Sequence, residues 1–189
     1  MRNSFFAMLS RMKYISRWGL MHSTRQENLS EHTLEVAYLA HALAVLGNRR
    51  FGRSYDPGRA VLYALYHDCS EILTGDLPTP VKYQNPQLRD AYKEVEAQAA
   101  RRLLEKLPEE LAGDFAPCFD IPAEYVPLVK AADKLSALAK CQEEKNAGSH
   151  EFDRAYETTL ASLREMDLPE AGAFLEEFFP AYRLTLDEL

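Results

Sequence analysis

The run Ala60-Val-Leu-Tyr-Ala-Leu-Tyr66 constrains the fold more than any other stretch of this chain. Asp56 ahead of Pro57 places a capping side chain before a proline at the first helical position, so the run reads as a helix, apolar on every side. Such a helix needs neighbours all round it, which predicts a place in the middle of a helical bundle. Its C-terminal end delivers His67, Asp68 and Glu71 just before Gly75, so polar chemistry arrives half buried.

The rest of the chain supplies the neighbours. Ser30 or Asn28 caps a second helix in which Val36, Leu39, Ala40, Leu43 and Leu46, with Leu34 and Ala37, form a wide apolar stripe up to Gly47, and His32 sits in its first turn. Asn85-Pro86 opens a third, where Tyr92, Val95, Ala99, Leu103 and Leu104 recur among many charges, the pattern of an outer scaffold helix. A fourth runs from about Val126 to Ala147, ends at Gly148 and carries Val129, Ala132, Leu135 and Leu138 beside Asp133. Two further helices cover roughly 150–166 and 169–182. No segment alternates apolar and polar residues long enough to argue for a strand, and no repeat is visible. The expectation is an all-α fold, a single-domain helical bundle over residues 1–189, because no linker-like stretch divides the chain.

Composition narrows the function. Hydrophobic residues make up 47% of the chain and charged ones 27%, enough for a real core. A net charge of −7 repels polyanions, which argues against a nucleic-acid polymer as partner and leaves room for a local basic pocket around one phosphate. Met1 to Ile15 lacks an export signal, and no apolar run reaches the roughly 18 residues that span a bilayer, so no membrane association is expected. Cys69, Cys118 and Cys141 form an odd set without a CxxC pair, which fits a cytoplasmic location. Cys69, though beside Asp68, is expected to be a small buried thiol and not a nucleophile.

His67-Asp68, with His32 far before it and Asp133 far after, carries the chemistry. Two neutral imidazoles and two carboxylates offer nitrogen and oxygen donors that cancel the charge of one divalent cation, a mix suited to six-coordinate Mn, Co, Fe or Ni and usable by zinc. Within one helix, His67 and Glu71 share a face while Asp68 points about 100° away. Both reach one ion only if it lies beyond their shared edge, with His32 and Asp133 arriving from two other helices. Taken singly, each residue reads more readily as a hydrogen-bonded core histidine or as the partner of a lysine or a helix end than as a metal ligand. As a set, burying these groups in an apolar bundle without a strong partner carries a large desolvation cost.

His32, His67-Asp68 and Asp133 resemble the H…HD…D signature of the HD-domain metal-dependent phosphohydrolases. Within that superfamily, Arg17-Trp18, Asn28-Leu-Ser-Glu-His32, Tyr66-His-Asp-Cys-Ser-Glu71 and Leu73-Thr-Gly-Asp-Leu-Pro-Thr-Pro80 resemble the bacterial 5'-deoxynucleotidases. The likeness spans most of the chain, has no mismatch at a ligand position, and offers no diagnostic motif after Asp133.

The resemblance implies one divalent cation, cobalt, manganese or another transition metal, held by His32, His67, Asp68 and Asp133, with His32, Asp68 and Asp133 also bordering the substrate. It implies that Arg17, a planar fork of donors, orients the substrate phosphate. Trp18, otherwise a core anchor, would pack at the sugar and exclude a 2'-hydroxyl. Glu71, otherwise a helix-surface glutamate, would take or relay the proton of the attacking water. Asp76, Leu77, Pro78 and Thr79, otherwise a plain turn, would hold the 3'-hydroxyl, stiffened by Pro78 and Pro80. Lys82 either adds positive charge near the phosphate or is solvated, and His22, His41 and His150 are left structural.

The implied reaction converts deoxyribonucleoside 5'-monophosphates to deoxynucleoside and inorganic phosphate, with loose base selection and discrimination against ribonucleotides, in a homodimer. One rival is another HD-type hydrolysis, of a triphosphate, an alarmone or a cyclic nucleotide; a single HD pair counts against two-metal cyclic-dinucleotide members, and a triphosphate would call for more Lys and Arg around the site than this acidic chain offers. The other is a non-catalytic, metal-stabilised nucleotide-binding protein, which would have no requirement for Glu71 or Asp76.

Overall fold

A computed structural model describes residues 3–78, 81 and 85–189. α1 spans Phe5–Leu9 and runs into a 3-10 turn at Ser10–Tyr14; α2 spans Leu29–Arg50, α3 Pro57–Tyr66, α4 Glu71–Thr74 and α5 Pro86–Leu104. α6 (Glu109–Phe119), α7 (Val126–Asn146), α8 (Asp153–Arg164) and α9 (Pro169–Glu177) follow, then 3-10 turns at Phe179–Arg183 and Leu186–Glu188. Among the described residues no strand forms; one isolated antiparallel bridge joins Ser16 to Asn28. The fold is all-α, as the sequence implies.

α2 and α7 form the centre. Asn28, not Ser30, caps α2: its side chain accepts from the N–H groups of Ser30 and Glu31, and the Glu31 side chain reaches back to the Asn28 N–H. This reciprocal cap fixes where the helix begins and hence where His32 points. α2 continues past Gly47 to Arg50, because Gly47 serves a close approach and not a helix end. A Cβ there would lie 3.1 Å from Arg53 Cγ and 3.2 Å from both Glu170 Oε1 and Tyr55 Cε2, so the following loop folds back onto the helix. Val36, Leu39 and Leu43 of α2 meet Leu128, Leu135 and Leu138 of α7 in the main core. Leu34, which the sequence places in the apolar stripe, is exposed and lies outside the buried face.

Two expectations are corrected. α3 is not enclosed on every side: Ala60, Tyr63 and Ala64 are buried, while Leu62 is 45% exposed. Its ten residues lie across the flank of the longer α2 and α7, so one face lacks a neighbour. Nor does the helix carry through to Gly75. It ends at Tyr66, and residues 67–70 form a turn before α4. Here the N–H groups of Cys69, Glu71, Ile72 and Leu73 bond carbonyls only three residues back, a tighter winding than an α-helix. The chain then stops at Gly75, whose φ of 75° suits glycine.

A second cluster lies beneath this turn. Phe5, Met12, Leu29, Cys69, Leu103 and Leu107 pack together, with Phe115 edge-on to Phe5 at 5.4 Å. Cys69 is the buried thiol expected, 3.8 Å from Met12 Sδ and pushed up to about 12 by burial. Among the described residues, no helix is long and apolar enough to cross a membrane.

Candidate metal centre and substrate loop

Four of the sequence-predicted residues converge. α2 supplies His32, the turn after α3 supplies His67 and Asp68, and α7 supplies Asp133. Ligand atoms of His32, His67 and Asp68 lie within 4.8 Å of one another. His67 Nε2 is 3.0 Å from Asp68 Oδ2, and His32 Nε2 is 3.6 Å from the same oxygen and 3.2 Å from Asp133 Oδ1. The tight winding at 67–70 lets adjacent side chains aim at one point, which a continuous α-helix would have splayed apart. Exposure rises across the cluster from 0% at His32 through 21% at Asp68 to 42% at Asp133, so it opens on one side.

Both rings are held by their far nitrogens. His67 Nδ1–H donates to the Ala64 carbonyl at 2.6 Å, and a carbonyl can only accept. Ser136 Oγ donates to Glu35 Oε2 at 2.6 Å and so accepts from His32 Nδ1–H at 3.0 Å. This leaves both Nε2 atoms as the sites facing the carboxylates, and both are buried without a hydrogen-bond partner among the described residues. Imidazoles oriented through their outer nitrogen, with orphaned inner nitrogens beside two carboxylates, fit a divalent cation.

The electrostatics say the same. Burial alone would lower the His67 imidazole, but the charge of Asp68 beside it, with Asp133 and the Ala64 carbonyl, pushes it up to about 9. His32 is also raised, since Asp133 and Asp68 outweigh burial. Conversely, burial would raise both carboxyls, yet His67 and His32 hold Asp68 well below the usual range and His32 holds Asp133 below it. The site is a trap for positive charge.

Arg17 borders it from the loop between the 3-10 turn and α2, and Trp18 follows in the same loop. Arg17 Nη1 lies 3.7 Å from Asp68 Oδ2. Trp18 has φ of +60°, a left-handed backbone costing about 1–3 kcal/mol for a bulky residue. Its ring packs edge-on to the buried Phe152, with centroids 5.2 Å apart, the contact of a core anchor. The loop is pinned at both ends and in the middle. Leu29 N–H bonds Ile15 O, and Arg17 N–H bonds Glu27 O. Glu144 on α7 accepts from the N–H and hydroxyl of Thr24 and from the N–H of Arg25, while Lys140 Nζ donates to Arg25 O and pairs with Glu144 at 2.6 Å.

Glu71 opens α4 as a buried residue, its N–H bonded to Asp68 O at 2.9 Å. Asp76, Leu77 and Pro78 are half-buried, and burial pushes the Asp76 carboxyl up against the pull of Arg17. Thr79 and Lys82 lie outside the described residues. A cavity of about 300 Å³ adjoins the cluster, walled by His67, Asp68, Lys130 and Asp133 on one side and by Glu96 and Ala97 of α5 on another. Of the three histidines left structural, His150 pairs with Asp153 at 2.9 Å, away from the cluster.

Sequence reasoning missed Glu27, Glu35, Ser136, Lys140 and Glu144. Only the spacing of four between Lys140 and Glu144 was a readable signal, and it usually marks a solvated pair.

The family described as 5'-deoxynucleotidase YfbR-like matches residues 4–182. A 5'-deoxynucleotidase of Vibrio cholerae serotype O1 is 52% identical over 189 residues, covering 98% of this chain and 97% of that one. Among solved structures, an HD-domain phosphohydrolase of Listeria innocua superposes with a TM-score of 0.82 at 23% identity, over 95% of this chain and 88% of that one. A cyanophage S-2L HD phosphohydrolase, described as bound to dA and one catalytic Zn2+ ion, has a TM-score of 0.67 at 24% identity, over 98% of this chain and 100% of that one.

Proposed function

The chain belongs to the YfbR-like 5'-deoxynucleotidase family and is a 5'-deoxynucleotidase, a hydrolase; from that premise we propose how its residues divide the work. Residues 1–189 act as one domain in the cytoplasm, as a homodimer. His32, His67, Asp68 and Asp133 hold a single divalent cation, manganese or cobalt by the hardness of the donor set. When bound, that cation neutralises phosphate charge and lowers the pKa of water.

The chain's own groups do the rest. Arg17 orients the 5'-phosphate beside Asp68. Trp18 walls the sugar where a ribonucleotide carries its 2'-hydroxyl. The Asp76 carboxylate and the backbone of Leu77, Pro78 and Thr79 hold the 3'-hydroxyl. Glu71 accepts the proton of the water that attacks phosphorus and relays it to the departing 5'-oxygen as the P–O5' bond breaks, giving deoxynucleoside and inorganic phosphate. Base selection is loose.

The observation that carries the reading is the pair of orphaned Nε2 atoms facing two carboxylates, with Arg17 alongside. Phosphate release from dAMP, AMP and dATP, each with and without a chelator, tests it. Release from dAMP alone, abolished by the chelator, is the expected result. Equal rates on both sugars would remove the role of Trp18, faster release from dATP would favour a triphosphohydrolase, and binding without release would favour a non-catalytic protein.

A further inference from the structure

Glu27 immediately precedes the cap of α2 and turns toward the loop. Its Oε2 accepts two hydrogen bonds, from Arg17 Nε at 3.1 Å and Trp18 Nε1 at 2.9 Å. Side chains of Arg17 and Glu27 are each only 12% exposed, so water competes weakly for this arrangement. Adjacent residues in an extended chain point to opposite sides. The left-handed backbone at Trp18 brings these two round to one acceptor, and it is held there by Met21 N–H on Trp18 O at 2.8 Å.

We propose that Glu27 is a specificity-determining positioning residue: by tying Arg17 and Trp18 to one oxygen, it fixes the distance between the phosphate anchor and the wall that excludes a 2'-hydroxyl. This rests on the roles given above to those two residues. Exclusion of one hydroxyl works only if the wall cannot yield while the phosphate stays anchored. Of the indole's contacts, the hydrogen bond to Glu27 is the one that relates its position to Arg17, since Phe152 supports the ring from the core side.

The test compares wild type, Glu27→Ala and Glu27→Gln for kcat and KM on dAMP and AMP, for Co2+ affinity, and for acrylamide quenching of Trp18, the only tryptophan in the chain. In Glu27→Ala, KM for dAMP rises, the dAMP/AMP ratio of kcat/KM falls roughly 10- to 100-fold, and the indole becomes more quenchable, while Co2+ affinity is kept. Glu27→Gln retains an oxygen for the indole and loses the charge that faces Arg17, so it raises KM and keeps most of the ratio. A wild-type ratio in Glu27→Ala, or a Gln variant that loses the ratio as fully as Ala, overturns the proposal. If Glu27→Ala does not fold, Glu27→Gln decides by the same criteria, and an unchanged KM there overturns it. A wild type indifferent to the sugar would remove the Trp18 reading and this proposal together; a selective wild type with an equally selective Glu27→Ala removes the proposal alone.

Discussion

Ser136→Ala isolates how the metal ligand His32 is aimed. Ser136 is fully buried, accepts a hydrogen bond from His32 Nδ1–H at 3.0 Å and donates one to Glu35 Oε2 at 2.6 Å. Alanine removes both bonds without adding volume, leaving a buried imidazole N–H and a half-buried carboxylate to find other partners. An unsatisfied buried donor costs about 1–3 kcal/mol, and loss of such an outer partner weakens metal binding by roughly 10- to 100-fold, equivalent to about 1.4–2.7 kcal/mol. Titration of the metal-free protein with Co2+, followed by calorimetry, should give a Kd raised by that factor. Glu35→Gln, whose amide oxygen still accepts from Ser136, should change Kd by no more than about threefold. A Ser136→Ala protein that binds Co2+ within about twofold of wild type would show that the serine does not aim the ring.

Glu71→Ala should keep Co2+ affinity while turnover of dAMP falls roughly 10²-fold or more, measured as phosphate release; unchanged turnover would remove Glu71 from the chemistry. The Lys140–Glu144 pair predicts acid sensitivity. Burial would raise the Glu144 carboxyl, but Lys140, Thr24 and Arg25 bring it down from 4.5 to about 2. Because the folded value is the lower one, its contribution is complete above about pH 4.5 and is lost as pH falls toward 2. Melting temperatures of wild type should therefore drop across that window more steeply than those of Glu144→Gln. At neutral pH, Lys140→Met, which leaves the carboxylate buried without its cation, should cost about 3–5 kcal/mol in urea unfolding.

What the sequence reveals here is what local chemistry decides. The Asn28 cap, Asp56 before Pro57 and Asn85 before Pro86 each act within three residues, so three helix starts are readable, and with the first comes the placement of His32. The four-ligand set is readable because donors of that kind in an apolar bundle need a common partner. The break at Tyr66 is not, since a helix and a tight turn share the same apolar pattern until their hydrogen bonds are known. α6 hides because Pro117 lies inside it and it buries no residue fully. Glu144 and Thr24 are 120 residues apart, and Ser136 and Glu35 are 101 apart, so no periodicity announces them. Leu62 misleads because apolarity in sequence does not say which face lacks a neighbour.

The most direct measurement is an anomalous difference map from a crystal of the protein soaked in Co2+. One peak is predicted, about 2.0–2.3 Å from His32 Nε2, His67 Nε2 and a carboxylate oxygen each of Asp68 and Asp133. A map with no peak among those four side chains, or with cobalt bound elsewhere while dAMP is still hydrolysed, would contradict the assignment.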